Sequence, residues 1–138
     1  MGRILAIDYG KKRTGLAVTD SLRIIATALE TVETSSLLNY LKAYAQKETV
    51  DEFVIGMPKT LRNEDSENAP LVRKFIAELK TTFPEKPVHE TDERFTSSMA
   101  QQTMISGGMK KKDRQVKGNV DKISAVIILQ SFMESQNR

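Results

Sequence analysis

Residues 3–19 read RILAIDYGKKRTGLAVT: two short apolar runs either side of a basic turn. Arg3–Asp8 and Thr14–Thr19 are bounded by turn residues, the pattern of two strands joined by Tyr9–Arg13, so a hairpin opens the fold. Ile24–Val32 adds a third strand, because Ile24, Ile25, Ala26, Leu29 and Val32 form no helical stripe. Helices and strands then alternate. Thr34 and Ser35 offer N-cap oxygens to a helix reaching about Glu48, with Leu37, Leu38, Leu41, Tyr44 and Ala45 on its apolar side. Glu52–Gly56 (EFVIG) reads as a buried central strand ended by Gly56 and Pro58. Ala69, Leu71, Val72, Phe75, Ile76 and Leu79 define a second helix, stopped by Phe83, Pro84 and Glu85. Val88–Thr91 is a short strand leading into Asp92, Glu93 and Arg94. Thr96 or Ser97 caps a third helix through Ile105, stopped at Gly107 and Gly108. Asn119 caps a last one carrying Val120, Ile123, Ile127 and Phe132. A three-strand antiparallel meander followed by alternating helices and strands makes a mixed α/β sheet with helices on both faces. No repeat or linker divides residues 1–138, so one domain is expected.

Composition narrows the chemistry. At 138 residues the chain can bury roughly two-thirds of its unfolded surface without covalent staples. The absence of cysteine excludes a disulfide framework, a zinc-thiolate site and a thiol nucleophile. The first apolar run, Ile4–Ile7, is far too short for a signal or membrane segment, so a soluble, cytoplasmic protein with no membrane partner is expected. The net charge of +3 is a mild bias, but its placement is uneven. Lys110, Lys111, Lys112, Arg114 and Lys117 stand against the single acid Asp113, either as a phosphate-binding segment or as a solvated loop. Only 6% of residues are aromatic and tryptophan is absent, which argues against a base-stacking platform. The single histidine, His89, lies within a strand and reads as structural, so no Ser/His/Asp apparatus can be assembled.

Four acids draw attention. Asp8 ends an apolar strand, Asp92 and Glu93 follow another, and Asp121 falls in the first turn of the last helix. Singly, Asp8 is an ordinary turn aspartate and Asp121 a favourable charge at a helix N-terminus. Brought together, carboxylates repel unless a cation or proton lies between them, and Mg²⁺ or Mn²⁺ with hard oxygen ligands resolves that repulsion. A pair of such ions suits phosphodiester hydrolysis, one activating water and the other stabilising the leaving oxygen.

The strings AIDYGKKRTGLAVTD (6–20), FVIGMP (53–58), TDERFTS (91–97) and VDKISAVIIL (120–129) resemble, in order and spacing, the motifs of the YqgF family. That family is also called the pre-16S ribosomal RNA nuclease or Holliday junction resolvase-like family. The resemblance spans nearly the whole chain and implies an RNase H-like fold related to the resolvase RuvC, with metal-dependent endonuclease activity. It implies catalytic and metal-binding roles for Asp8, Glu93 and Asp121. Arg94 would bind phosphate or orient Glu93, with a surface ion pair as the plainer reading. Lys12 and Arg13 would meet the phosphate backbone beside Asp8, or simply be a solvated turn. Phe95, Met57, Lys59, Lys122 and Ile123 depart from the usual pattern, and Lys122 matters most because a cation beside Asp121 can contact substrate or compete for its carboxylate. Precursor 16S ribosomal RNA is the favoured substrate implied by the resemblance, with ribosomal particles as further partners. Branched DNA is the alternative, and symmetric cleavage of a junction would require a homodimer rather than a monomer. Two other classes stay open: a non-catalytic RNA- or ribosome-binding module, and an actin-like or sugar-kinase-like ATPase, whose first phosphate motif Asp8, Gly10 and Gly15 also resemble. The length of the chain argues against the ATPase, which closes two domains around its nucleotide.

Overall fold

Arg3–Asp8 (β1) forms the middle of a five-stranded sheet in the computed structural model, which describes residues 2–57, 69–92 and 117–136. The elements that follow are β2 (Arg13–Thr19), β3 (Ala26–Glu33), α1 (Leu37–Lys47), β4 (Val50–Met57), α2 (Ala69–Thr82), β5 (Val88–Asp92) and α3 (Lys117–Gln136). The strand order is β3-β2-β1-β4-β5. β1 pairs antiparallel with β2, and β2 with β3, whereas β1 with β4 and β4 with β5 run parallel. The meander comes from tight turns, and the parallel pairs from crossovers, as expected.

Side chains alternate across the sheet, and the two faces acquire different partners. Leu5 and Ile7 of β1, Leu16 and Val18 of β2, and Phe53 and Ile55 of β4 pack with Leu37 and Leu41 of α1 and with Val72, Phe75, Ile76 and Leu79 of α2. Ile4 and Ala6, Ala17 and Val54 face the other way, against Ala125, Ile128, Leu129 and Phe132 of α3. Ala6 and Ala17 are paired partners in the sheet, both fully buried. Their small size lets α3 lie directly across β1 and β2.

One end of the sheet is tied by charge. Asp51 accepts the Gly2 amide at 2.9 Å and Arg23 Nη2 at 2.8 Å, while Arg23 Nη1 reaches Glu52 at 2.9 Å and its Nε donates to the Gly2 carbonyl. Arg23 adopts φ 58°, a left-handed conformation that costs about 1 kcal/mol in an L-residue, offset here by these charge-assisted bonds. Glu52 also meets His89 Nε2 at 2.9 Å, and the His89 ring lies 4.8 Å from that of Phe132, which agrees with a structural histidine.

Three local expectations are corrected. β3 begins at Ala26 rather than Ile24, because Asp20 Oδ1 accepts the amides of Ile24 and Ile25 and holds them in the turn. Leu22, Ile24 and Ile25 are consequently exposed. Thr34 and Ser35 do not cap α1: Thr34–Ser36 form a 3-10 turn, Ser36 is the N-cap residue without a side-chain bond, and the Thr34 hydroxyl is used elsewhere. Asn119 lies inside α3, which starts at Lys117. The helix expected over Thr96–Ile105 lies outside the described residues. Among the described residues no helix is long and apolar enough to cross a membrane.

Two outcomes follow from this packing. Ala17→Leu inserts bulk between the sheet and α3 and is expected to cost about 1–3 kcal/mol in a denaturant melt. The Gly2 amide, followed by Arg23, holds the Asp51 carboxyl below its ordinary value of 3.8 against the opposing effect of burial. The stabilisation is therefore complete above that value and lost as pH falls through the lower folded one. The difference in Tm between wild type and Asp51→Asn should shrink on acidification from pH 7 into this range, as scanning calorimetry would show.

Candidate nucleic-acid site

Asp8 closes β1 on the face that carries Ile4 and Ala6, the face covered by α3. In the sheet it pairs with Gly15 of β2. The β1–β4 register matches Ile7 with Ile55, so one step further sets Asp8 beside Gly56, which in turn pairs with Thr91 of β5. A row across the sheet thus reads Gly15, Asp8, Gly56, Thr91. Strands lie roughly 4.8 Å apart, so bare backbone flanks the carboxylate on both sides and Thr91 stands on the order of 10 Å away. From the sequence Gly15 enters only through the phosphate motif of the ATPase reading and Gly56 only as a strand stop, although glycine within a strand is a signal that a ligand or backbone approaches closely.

The orientation of α3 brings its start to this row. Gln130, Met133 and Glu134 line a groove with Ile24, Ile25 and Ala26, so the C-terminal half of α3 lies over the end of the sheet that carries the β2–β3 turn, away from Asp8. Its N-terminal part, with Asp121 one turn before buried Ala125, points back toward the Asp8 end; because α3 starts at Lys117, Asp121 lies past the first turn in which it was expected. Glu93 would follow β5 two residues after Thr91, but its placement, like that of Arg94, Lys110, Lys111, Lys112 and Arg114, lies outside the described residues. The backbones of Lys117 and Asp121 are within α3.

Beyond Asp8 the chain makes a tightly folded basic turn. A Cβ on Gly10 would stand 2.1 Å from the Arg13 carbonyl oxygen, so only glycine allows the chain to double back there. The Thr34 hydroxyl donates to the Gly10 carbonyl at 2.6 Å, and the Thr34 amide donates to that of Lys12 at 2.9 Å. Tyr9 packs its ring 5.1 Å from Phe75 of α2, and burial, with the nearby Glu78 charge, raises its hydroxyl pKa, so it stays neutral. Lys11, Lys12 and Arg13 are exposed and line a shallow hollow with Glu33 and Ser35.

Among the described residues Thr91 Oγ1 and Ser124 Oγ are buried with no hydrogen-bond partner, and Ser124 is one turn beyond Asp121 in α3. His89 is engaged with Glu52 on another row. Among the described residues no three His, Cys, Asp or Glu side chains converge to hold a metal ion. Of the three candidate acids, only the Asp8 side chain lies among the described residues.

Comparison with known proteins gives this geometry a family. The chain is 54% identical over 136 residues to a Bacteroides thetaiotaomicron protein named "Putative pre-16S rRNA nuclease", covering 99% of both chains. A Porphyromonas gingivalis protein of the same name is 51% identical over 138 residues, covering 100% of both. Among solved structures, Thermus thermophilus RuvC in complex with Holliday junction substrate superposes with a TM-score of 0.60 at 16% identity, covering 99% of this chain and 96% of that one. A further Thermus thermophilus RuvC structure gives 0.58 at 13% identity, covering 98% and 96%. The fold is therefore the RNase H-like fold of RuvC. Residues 2–135 match the family RuvX, described as Holliday junction resolvase, and the chain belongs to this nuclease family.

Proposed function

We propose that this nuclease is a metal-dependent endonuclease that processes precursor 16S ribosomal RNA in the cytoplasm. The observation that carries the site is Asp8 at the end of β1, flanked by Gly15 and Gly56 on the face that α3 covers. The candidate ligands Asp8, Glu93 and Asp121 are all carboxylates, which fits Mg²⁺ or Mn²⁺ better than a soft metal. Asp8, Glu93 and Asp121 would hold the metal. Bound there, a divalent ion supplies water activation and charge stabilisation at the leaving oxygen. The protein's own part is positional. Lys12 and Arg13 grip the phosphate next to Asp8, Arg94 binds phosphate or orients Glu93, and Lys110, Lys111, Lys112, Arg114 and Lys117 track the backbone further along. Lys122, next to Asp121 in sequence, would contact substrate or compete for the Asp121 carboxylate.

The names of the relatives support the RNA substrate. The family description and the likeness to a junction-bound RuvC favour a second reading, Holliday junction resolution by a homodimer. Membership of a nuclease family removes the ATPase reading. Incubating the purified chain with precursor 16S RNA and with four-way DNA junctions, in Mg²⁺, Mn²⁺ or chelator, separates the substrates. Metal-dependent cutting of the RNA alone supports the proposal. Cutting of junctions alone moves the function to the second reading, and tight binding without cleavage of either leaves a binding module.

Asp8→Asn keeps the side chain's shape while weakening a metal ligand. In single-turnover cleavage of labelled precursor RNA it should lose about 3 kcal/mol of transition-state stabilisation, roughly a hundredfold in rate, with folding retained by circular dichroism. Neutralising Lys110, Lys111, Lys112, Arg114 and Lys117 should flatten the salt dependence of RNA binding by about one unit of log-log slope for each true phosphate contact. An unchanged slope in a filter-binding titration would mark the segment as a solvated connection.

A further inference from the structure

The residue that organises the basic turn is Thr34, more than twenty positions downstream of it. Its hydroxyl has one proton, and the 2.6 Å bond to the Gly10 carbonyl uses it. The Thr14 hydroxyl, 2.9 Å away, must therefore be the donor to Thr34 Oγ1. Thr14 is fully buried at the start of β2, so the relay is anchored in the sheet. The Thr34 amide meanwhile binds the Lys12 carbonyl at 2.9 Å. A single residue at the end of β3 thus holds the carbonyls on both sides of Lys11. With those carbonyls held, the side chains of Lys11, Lys12 and Arg13 are left exposed.

We propose that Thr34 is a positioning residue for substrate: its hydroxyl, backed by Thr14, fixes the turn so that Lys12 and Arg13 meet the phosphate beside Asp8. This rests on the phosphate-binding reading of Lys12 and Arg13 given above. Unclamped, the turn would have to be ordered each time nucleic acid binds, and that entropy would be taken from the affinity.

Thr34→Val removes the hydroxyl and nearly preserves shape, leaving the amide bond to Lys12 in place. Thr34→Ser keeps the donor. Binding of a labelled precursor 16S RNA fragment, measured by fluorescence anisotropy in chelator to prevent cleavage, should weaken roughly tenfold in Thr34→Val, as expected for a lost hydrogen bond that strands its acceptor. Thr34→Ser should bind within about twofold of wild type. The decisive arm is the background Lys12→Ala/Arg13→Ala, which should itself bind weakly and lose nothing more on adding Thr34→Val. A general structural defect would weaken both backgrounds alike and overturn the proposal. Loss in Lys12→Ala/Arg13→Ala with none in Thr34→Val would overturn the clamp while sparing the phosphate reading. Wild-type binding by Lys12→Ala/Arg13→Ala would remove the phosphate reading and the clamp together. Should Thr34→Val fail to fold, Thr34→Ala carries the same comparison.

Discussion

Burial of β1 on both faces is the constraint from which the remaining structure follows. Leu5 and Ile7 must be covered by α1 and α2, and Ile4 and Ala6 by α3, so helices are required on each side of the sheet. A strand buried in this way leaves only its ends for chemistry, and Asp8 occupies one of them. The opposite end carries the Arg23, Asp51 and Glu52 network, in which one guanidinium bridges two carboxylates. The two ends of the sheet therefore differ in kind: one is tied by ion pairs, and the other carries half-buried Asp8 beside an exposed basic turn.

The site is built from what is absent as much as from what is present. Gly15 and Gly56 place no side chain on either side of Asp8, and Gly10 permits the chain to return within contact of itself. In the proposed site a fixed backbone would matter more than flexible side chains, since hydrolysis depends on holding phosphate and nucleophile in line. The hydroxyl relay from Thr14 through Thr34 to Gly10 fixes the turn with neutral hydrogen bonds.

Much of the architecture was legible along the chain. β1, β2, α2 and β5 lie within a residue or a few of the expected bounds, because apolar alternation, helical spacing and proline stops are local signals. β3 was misjudged where tertiary structure overrode composition: Ile24 and Ile25 look like strand residues, yet the Asp20 carboxylate claims both amides for the turn. Thr34 looked like a helix cap because capping is the commonest use of a threonine before a helical stripe. Its actual acceptor is Gly10, twenty-four residues earlier, and nothing local to Thr34 reveals that partner.

The order of elements, their apolar faces and, through the motifs, the family are written along the chain, because they depend on periodicity and residue identity within short windows. Tertiary structure alone decided which residues share a row. The sheet order β3-β2-β1-β4-β5 sets Asp8 between glycines forty-one residues apart in the chain, and the direction of α3 carries Asp121 toward the same end. Strand register and helix direction are collective results of burying both faces of β1, and neither is written in any one segment.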